Sequence, residues 1–286
     1  FAGARLPASR RSPIGSAVLS KYPLPNSGQS TQLEAYNWAL SKTYMVDQRQ
    51  VGVRVDHVLS NRQRLFGRVG FLKRLQQAED LFYGATSYPV SGGTDLGSLI
   101  RRRINVSLDD TIVVSPSLVG SIRFGVLSYA SESTGGASGA DPADLKLPDV
   151  IVRNQAVRGW SNFDLGGNLP GIGASWSFSR EMVGSLLSNW TKLIGQHATK
   201  FGVDYRLARN SNVSPGGNAT ASFTTGPTFT QSDPFNRNAA NTSGSGMASM
   251  LLGLADSGAF GFNSPTSTQN HYLALFVQDD WKVTSN

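Results

Sequence analysis

Residues 50–71, QVGVRVDHVLSNRQRLFGRVGF, decide the fold of this chain. Val51, Val53 and Val55 alternate with glycine or charged residues in the first half, and a similar alternation returns after the polar run at residues 60–64. Successive side chains of a β-strand point to opposite faces, so each half predicts a strand with one apolar and one charged face. The polar run between the two strands predicts a tight turn, and the whole stretch therefore predicts a β-hairpin.

The same pattern occurs twice more along the chain. Residues 104–126 alternate on both sides of Ser115-Pro116-Ser117, and residues 183–207 are divided in the same way by Gly195-Gln196-His197. One more strand begins at Tyr272, and a weaker pair is predicted at residues 223–229 and 259–262, with a short helix at residues 246–254 between them. About nine strands are predicted in all.

Very short and very long connections alternate between these strands. The long connections, at about residues 73–99, 130–181 and 209–220, are polar or rich in Gly and Ser. Loops of this length are uncommon in compact soluble domains, whereas outer-membrane barrels have short turns on one side and long loops on the other. We therefore predict an all-β fold, an antiparallel transmembrane β-barrel, of which this chain supplies about nine strands of a larger barrel.

The alternation assigns side chains to the two sides of the predicted wall. The charges expected to line the lumen are Arg54, Asp56, Arg68, Arg123, Lys200, Asp204 and Arg206. The residues expected to face lipid or its interface are Val53, Phe71, Phe124, Val203, Tyr205 and Trp281. An arginine placed at Gly202, on the predicted lumen side, should accordingly be tolerated better than one at Val203.

Composition agrees with an exported β-rich protein. The 286 residues are 39% hydrophobic with 31 glycines and no cysteine, which excludes disulfides and thiolate metal sites. No apolar run approaches the length of a membrane-spanning helix. The net charge of +7 could suit nucleic acid, but the cations are spread along the strands and only residues 101–103 form a basic run, so we expect no nucleic-acid partner.

The sequence carries no catalytic motif. His57, His197 and His271 are far apart and lack acidic or thiol partners at metal-ligand spacing. Asp279 and Asp280 are adjacent on a predicted strand, so they should point to opposite faces and not share one ion. We expect no catalytic, cofactor or metal site, and no enzyme activity.

The chain divides into two predicted parts. Residues 1–46 form a lead-in with a short helix, for which Ser12 is the expected N-cap and Pro13 the first residue, and residues 47–286 form the partial barrel domain. The final strand ends at residues 281–286 in what looks like a turn with no returning strand. We therefore expect a fragment whose plug and C-terminal strands lie elsewhere, and which does not fold alone because its edges are open.

Several phrases resemble a known family. Residues 272–284, YLALFVQDDWKVT, resemble a strand-and-turn phrase of bacterial TonB-dependent outer-membrane receptors. Other phrases resemble the Oar-like branch, whose members carry an N-terminal carboxypeptidase-regulatory-like domain. These phrases are residues 6–10 (LPASR), 22–26 (YPLPN), 54–57 (RVDH), 64–68 (RLFGR), 123–125 (RFG) and 200–206 (KFGVDYR).

The resemblance implies active uptake or binding of an extracellular ligand in the outer membrane of a Gram-negative bacterium. Such barrels have 22 strands around a plug, and the inner-membrane TonB complex energises them through parts that are absent from this chain. The expected partners are thus outer-membrane lipid, the TonB complex and an unknown extracellular ligand. The alternative is a secreted or surface-attached β-rich adhesin or carbohydrate-binding module, which would have shorter loops and more polar outer strand faces.

Overall fold

The computed structural model describes residues 5–26, 44–78, 97–135, 137–166, 171–215, 217–233, 235, 243–261 and 263–284. Ten strands occur in these residues: β1 (Tyr44–Ser60), β2 (Gln63–Ala78), β3 (Gly97–Ser115), β4 (Leu118–Thr134), β5 (Asn162–Asp164), β6 (Trp176–Ile194), β7 (His197–Val213), β8 (Ser222–Thr224), β9 (Ser257–Ala259) and β10 (Thr266–Trp281). The seven long strands form one antiparallel sheet in the order β1-β2-β3-β4-β6-β7-β10. The predicted antiparallel all-β fold is confirmed.

Tight turns join the strands of each predicted hairpin. They lie between Ser60 and Gln63, between Ser115 and Leu118, and between Ile194 and His197. In the third turn, Gly195 has a φ of 59°, a left-handed conformation that glycine adopts without strain. All three turns lie at the same end of the sheet, here called the turn end. The turn predicted at residues 281–286 lies partly outside the described residues.

The long strands extend further than the sequence predicted. They contain 16 to 19 residues each, more than the 9–11 residues that a tilted strand needs to cross a membrane. The loops predicted to begin near Lys73 and Ala130 were therefore too long, because β2 continues to Ala78 and β4 to Thr134. Charged residues such as Lys73 and Arg102 interrupt the apolar alternation there, but the backbone ladder continues past them.

The weaker predicted pair is only partly present: Pro227–Phe229 is a short 3₁₀ helix, and the strands nearest to the predicted ranges are β8 (Ser222–Thr224) and β9 (Ser257–Ala259). In the described residues the long sheet therefore has seven strands rather than about nine, and β8 and β9 belong to a second, small sheet. In this sheet β5 pairs with β8 in parallel, and β8 pairs with β9 antiparallel. Three short helices accompany the sheet: α1 (Pro13–Leu19), α2 (Asp149–Arg153) and α3 (Gly246–Leu252). We call this assembly the loop unit; it comprises the described residues of 5–26, 135–175 and 214–265, at the end of the long sheet opposite the turns.

The loop unit has its own hydrophobic core. Its buried members come from all three segments, and they are Val18, Ala137, Leu145, Leu147, Trp160, Phe163, Leu165, Ile172 and Met250. Phe163 of β5 stacks on Phe223 of β8, with ring centroids 5.1 Å apart. Segments more than a hundred residues apart in sequence therefore share one core. Burial against this core, and to a smaller extent the Asp164 carboxylate, raises the pKa of the Tyr22 phenol.

Helix α1 begins where the sequence predicted. Ser12 is its N-cap and accepts a hydrogen bond on Oγ from the Gly15 amide at 3.4 Å. The Ser12 amide donates to the Leu251 carbonyl at 2.7 Å, which ties the start of α1 to α3. A Cβ at Gly15 would lie only 1.9 Å from the Met250 carbonyl oxygen, so the close approach of the two helices depends on glycine at this position.

The long sheet is open. Strands β1 and β10 lie at its two edges, and no ladder joins them in the described part of the chain. Each edge presents a row of backbone donors and acceptors without a neighbouring strand, an arrangement that a barrel removes by closure. The domain boundary predicted at residue 46 stays a prediction, although β1 begins close to it at Tyr44.

We predict that Gly15→Val separates α1 from α3. The new side chain would meet the Met250 carbonyl, a rigid backbone group, and we expect a loss of about 1–3 kcal/mol in the local stability of the loop unit. Limited proteolysis of the full-length protein in membranes measures this as faster cleavage within residues 5–26. Ser16→Ala, at an exposed position of the same helix, is the matched control. Equal cleavage of both variants would contradict the prediction.

Candidate functional site

One face of the long sheet is apolar over its middle. Residues directly opposite each other in neighbouring strands share a face, so the register defines rows that cross the sheet. One such row crosses all seven strands without a charge: Val55, Gly67, Leu108, Phe124, Leu186, Tyr205 and Leu273. We call this side the apolar face. Much of it is exposed, as shown by Val53 at 52% and Leu275 at 75% of their maximal accessible areas.

The predicted lipid-facing residues all lie on this apolar face. They are Val53, Phe71, Phe124, Val203, Tyr205 and Trp281, placed there by the register of the strands. Apolar side chains exposed over such an area are unusual for a surface in water, and they suit the outside of a barrel. Contact of these individual residues with lipid stays a prediction.

The opposite face is polar, and the register places all the predicted lumen charges on it. They are Arg54, Asp56, Arg68, Arg123, Lys200, Asp204 and Arg206. Arg54, Arg68 and Arg206 belong to one row, while Asp56, Arg123 and Asp204 belong to the next row toward the turns. Their position in a lumen stays a prediction, but the structure does bring them together on one surface.

Ion pairs neutralise much of the charge on the polar face. The Arg54 guanidinium donates to both Asp56 oxygens at 2.7 Å, and Arg206 donates to both oxygens of Asp204 at 3.0 and 2.6 Å. Each of these pairs joins residues two apart on one strand, which point to the same side. Arg68 forms no ion pair with the described residues.

One important carboxylate was missed by the sequence analysis. Asp109 is 6% exposed and accepts a hydrogen bond from Nε of Arg123 at 2.6 Å. The two residues are directly opposite each other on β3 and β4, so the pair joins neighbouring strands. The alternation along β3 does place Asp109 on the polar face, together with Ser107 and Thr111. This position was overlooked because the adjacent Asp110 alternates with apolar residues.

A second set of contacts joins β7 and β10 at the turn end. Asp279 Oδ2 lies 2.6 Å from His197 Nδ1, and its other oxygen accepts a hydrogen bond from Thr199. The His197 ring stacks on Trp281, with centroids 5.5 Å apart. Asp280 instead pairs with Lys200 on the polar face, so the prediction that the two aspartates point to opposite faces is confirmed. The partner of His197 was not predictable from the sequence, because it lies 82 residues away in the chain.

The loop unit contains an apolar cavity of about 230 Å³. Its wall is drawn from all three segments of the unit: Ile14, Leu147, Pro148, Ile151, Phe163, Phe223, Thr225, Met250, Gly253 and Ala255. A cavity of this size can hold one aromatic ring or a short aliphatic chain, and an apolar wall selects such a group by its hydrophobicity. Sequence analysis could not find it, because it exists only where the segments meet.

Within the described part of the chain, no three metal-binding side chains converge. No helix there has the length and hydrophobicity required to cross a membrane. A family model described as an outer membrane beta barrel domain matches residues 1–286. The chain belongs to this family. Membership supports the outer-membrane β-barrel fold and indicates an outer-membrane location. No curated protein matches the chain.

We predict that Val53→Arg impairs membrane assembly far more than Gly52→Arg. The two positions are adjacent on β1 and lie on opposite faces, and a cation facing lipid near the midplane costs roughly 2–4 kcal/mol. A Cβ at Gly52 would make only an ordinary contact, 4.0 Å from the Val69 carbonyl oxygen, whereas one at Gly202 would lie 2.3 Å from the Ser188 carbonyl oxygen. Gly202 is therefore a poor control position, and the expectation that Gly202→Arg is better tolerated than Val203→Arg stays a prediction. The measurement is the amount of heat-modifiable protein in outer membranes; similar losses at residues 52 and 53 would contradict the assignment of the faces.

We predict that Arg123→Gln destabilises the wall through Asp109. Removing the guanidinium leaves a buried carboxylate without its charged partner, a loss of about 1–3 kcal/mol. The urea midpoint of the full-length protein in lipid vesicles measures the effect. Arg54→Gln is the matched control, because its partner Asp56 is exposed. The double variant Arg123→Gln, Asp109→Asn should regain part of the loss, and no recovery would argue against this pair.

Proposed function

We propose that this chain forms part of the barrel wall of a TonB-dependent outer-membrane receptor that takes up or binds an extracellular ligand. The observation that carries this proposal is the folded loop unit, with its apolar cavity, at the end of a wall that has one polar and one apolar face. Short turns of outer-membrane barrels face the periplasm and long loops face the exterior. This orientation exposes the loop unit to ligands outside the cell.

The two faces of the sheet have different roles in the proposed receptor. The apolar face contacts lipid, and the polar face with Arg54, Arg68 and Arg123 lines the lumen. A polar lumen suits a polar ligand, and its cations favour an anionic one. The open edges at β1 and β10 support a wall completed by further strands, since unpaired edges cannot remain exposed in lipid.

Energy coupling is proposed from the resemblance alone. Residues 272–284 form β10 and the segment after it, and they resemble the strand-and-turn phrase of TonB-dependent receptors. A plug and a TonB-contacting segment would come from parts outside this chain. The Oar-like branch is the proposed subgroup because the similar phrases recur in order along the chain.

The alternative is a surface-attached adhesin or a carbohydrate-binding module. Its support is the loop unit, which has a core of its own and would suffice for binding without transport. Energy dependence separates the two functions, because an adhesin binds its ligand without the TonB complex. The exposed apolar face favours the wall of a barrel over a secreted soluble module.

The test measures depletion of a defined mixture of peptides, oligosaccharides and metal-chelate complexes from the medium by mass spectrometry. Three cell lines are compared: cells with the full-length protein, cells without it, and cells with the protein but without the TonB complex. We expect at least one component to be depleted only by the first line. Depletion or binding that persists without the TonB complex would favour the adhesin, and no difference among the lines would refute both functions.

We predict that Ala255→Trp lowers this depletion. Ala255 is exposed at the wall of the cavity, and an indole there would fill the space in which we propose that an apolar group of the ligand binds. Val150→Trp is the matched control, because Val150 is 67% exposed on α2 and does not line the cavity. Both variants should reach the outer membrane in equal amounts. Equal depletion by both would remove the cavity from the proposal.

A further inference from the structure

Four cations form a row across the apolar face near the end of the sheet opposite the turns, here called the loop end. Arg49 lies opposite Lys73, Lys73 opposite Arg102, and Arg102 opposite Ala130, which in turn lies opposite Arg180. The row therefore runs over five neighbouring strands and is interrupted only by Ala130. We call Arg49, Lys73, Arg102 and Arg180 the cation row. All four side chains belong to exposed residues.

The cation row borders the apolar surface. Val51, Phe71 and Ile104 lie two residues closer to the turns on the same strands, and thus on the same face. Two residues of a strand span about 7 Å, so the charged groups lie directly beside apolar side chains. Long cationic side chains in such a position keep their methylene groups on apolar surface and direct the charge toward the polar boundary of a membrane.

The protein neutralises only part of this row. Like charges directly opposite each other in a sheet are destabilising, yet Arg49, Lys73 and Arg102 are consecutive neighbours. Asp47 lies 3.2 Å from Arg49, and Glu132 lies 3.7 Å from Arg102. Lys73 and Arg180 have no carboxylate partner in the described residues. An external anion would remove the repulsion.

The two borders of the apolar face differ in charge. At the turn end, the same face carries the carboxylates of Asp110 and Asp279, together with Lys192 and His197. Lys192 donates to Ser117, and His197 contacts Asp279. On the apolar face, cations therefore outnumber carboxylates only at the loop end. A ligand that matches this asymmetry is an anion held in one leaflet of the membrane.

We propose that the cation row binds the phosphate groups of a glycolipid in the outer leaflet. The proposal rests on the orientation given by the proposed function, with the loop end outside the cell. Each guanidinium presents paired N–H donors that match two phosphate oxygens, and the Lys73 ammonium adds a compact charge between Arg49 and Arg102. The acyl chains of the same lipid lie along Val51, Phe71 and Ile104. The row therefore selects a lipid over a soluble phosphate.

The first experiment measures the glycolipid that remains bound to the full-length protein purified in mild detergent. The triple variant Lys73→Gln, Arg102→Gln, Arg180→Gln is compared with Arg64→Gln, Arg68→Gln, Arg103→Gln, which removes the same charge from the polar face of β2 and β3. We expect at least about a tenfold loss of bound glycolipid only in the first variant, as loss of three surface cations predicts. Equal retention, or equal loss in both variants, would overturn the proposal.

The second experiment needs no variant. The unmodified protein is placed in vesicles of neutral phospholipid that contain either the phosphorylated glycolipid or the same glycolipid with its phosphates removed. We expect the thermal midpoint to rise only with the phosphorylated lipid, because a ligand that binds the folded state stabilises it. The same midpoint with both lipids would refute the proposal. Ligand depletion by the cells is a separate measurement, so failure of the receptor function and failure of lipid binding are distinguishable.

Discussion

The whole structure depends on the period of two in an antiparallel ladder. Every backbone group in the middle of the sheet is paired with a neighbouring strand, and every second side chain lies on the same face. Directly opposite residues share a face as well, so the phase of each strand must agree with that of the next. It does so across all seven strands, from Val55 to Leu273. A slip of one residue would place Arg54 or Asp204 among the apolar side chains.

The loop unit follows a different physical rule. Its segments have little regular structure of their own, and they are held by burial of apolar side chains such as Val18, Trp160 and Met250. Glycine permits the closest contacts: Gly15 meets the Met250 carbonyl, and Gly246 meets the carbonyl of Leu165. The sheet provides fixed ends for these segments, and their packing creates a cavity there. A rigid scaffold that carries packed loops is a common arrangement in proteins that bind ligands.

Sequence reasoning succeeded where the determining contacts are local. The three hairpins were predictable because each turn is only two residues long and sets the register of both strands. The faces of Val53 and Arg54 followed from alternation. The ends of the strands were wrong, because ladder hydrogen bonds continue beyond the last clear alternation into cationic positions such as Lys73. The contacts of Asp109 and His197 were missed, since their partners were known only once the strands were paired.

By itself, the sequence determined the strand class, the three tight turns and the separation of apolar from charged faces. These features depend on side-chain alternation and on turn residues that are close together in the chain. Only the tertiary structure decided that three distant segments share one core, that Asp109 pairs with Arg123, and that four cations line up across five strands. Each of these depends on which backbone groups are paired between strands. The regular strand geometry thus makes the two faces predictable from the sequence of one strand. The pairing between strands aligns residues of different strands in rows, and these rows are visible only in the folded sheet.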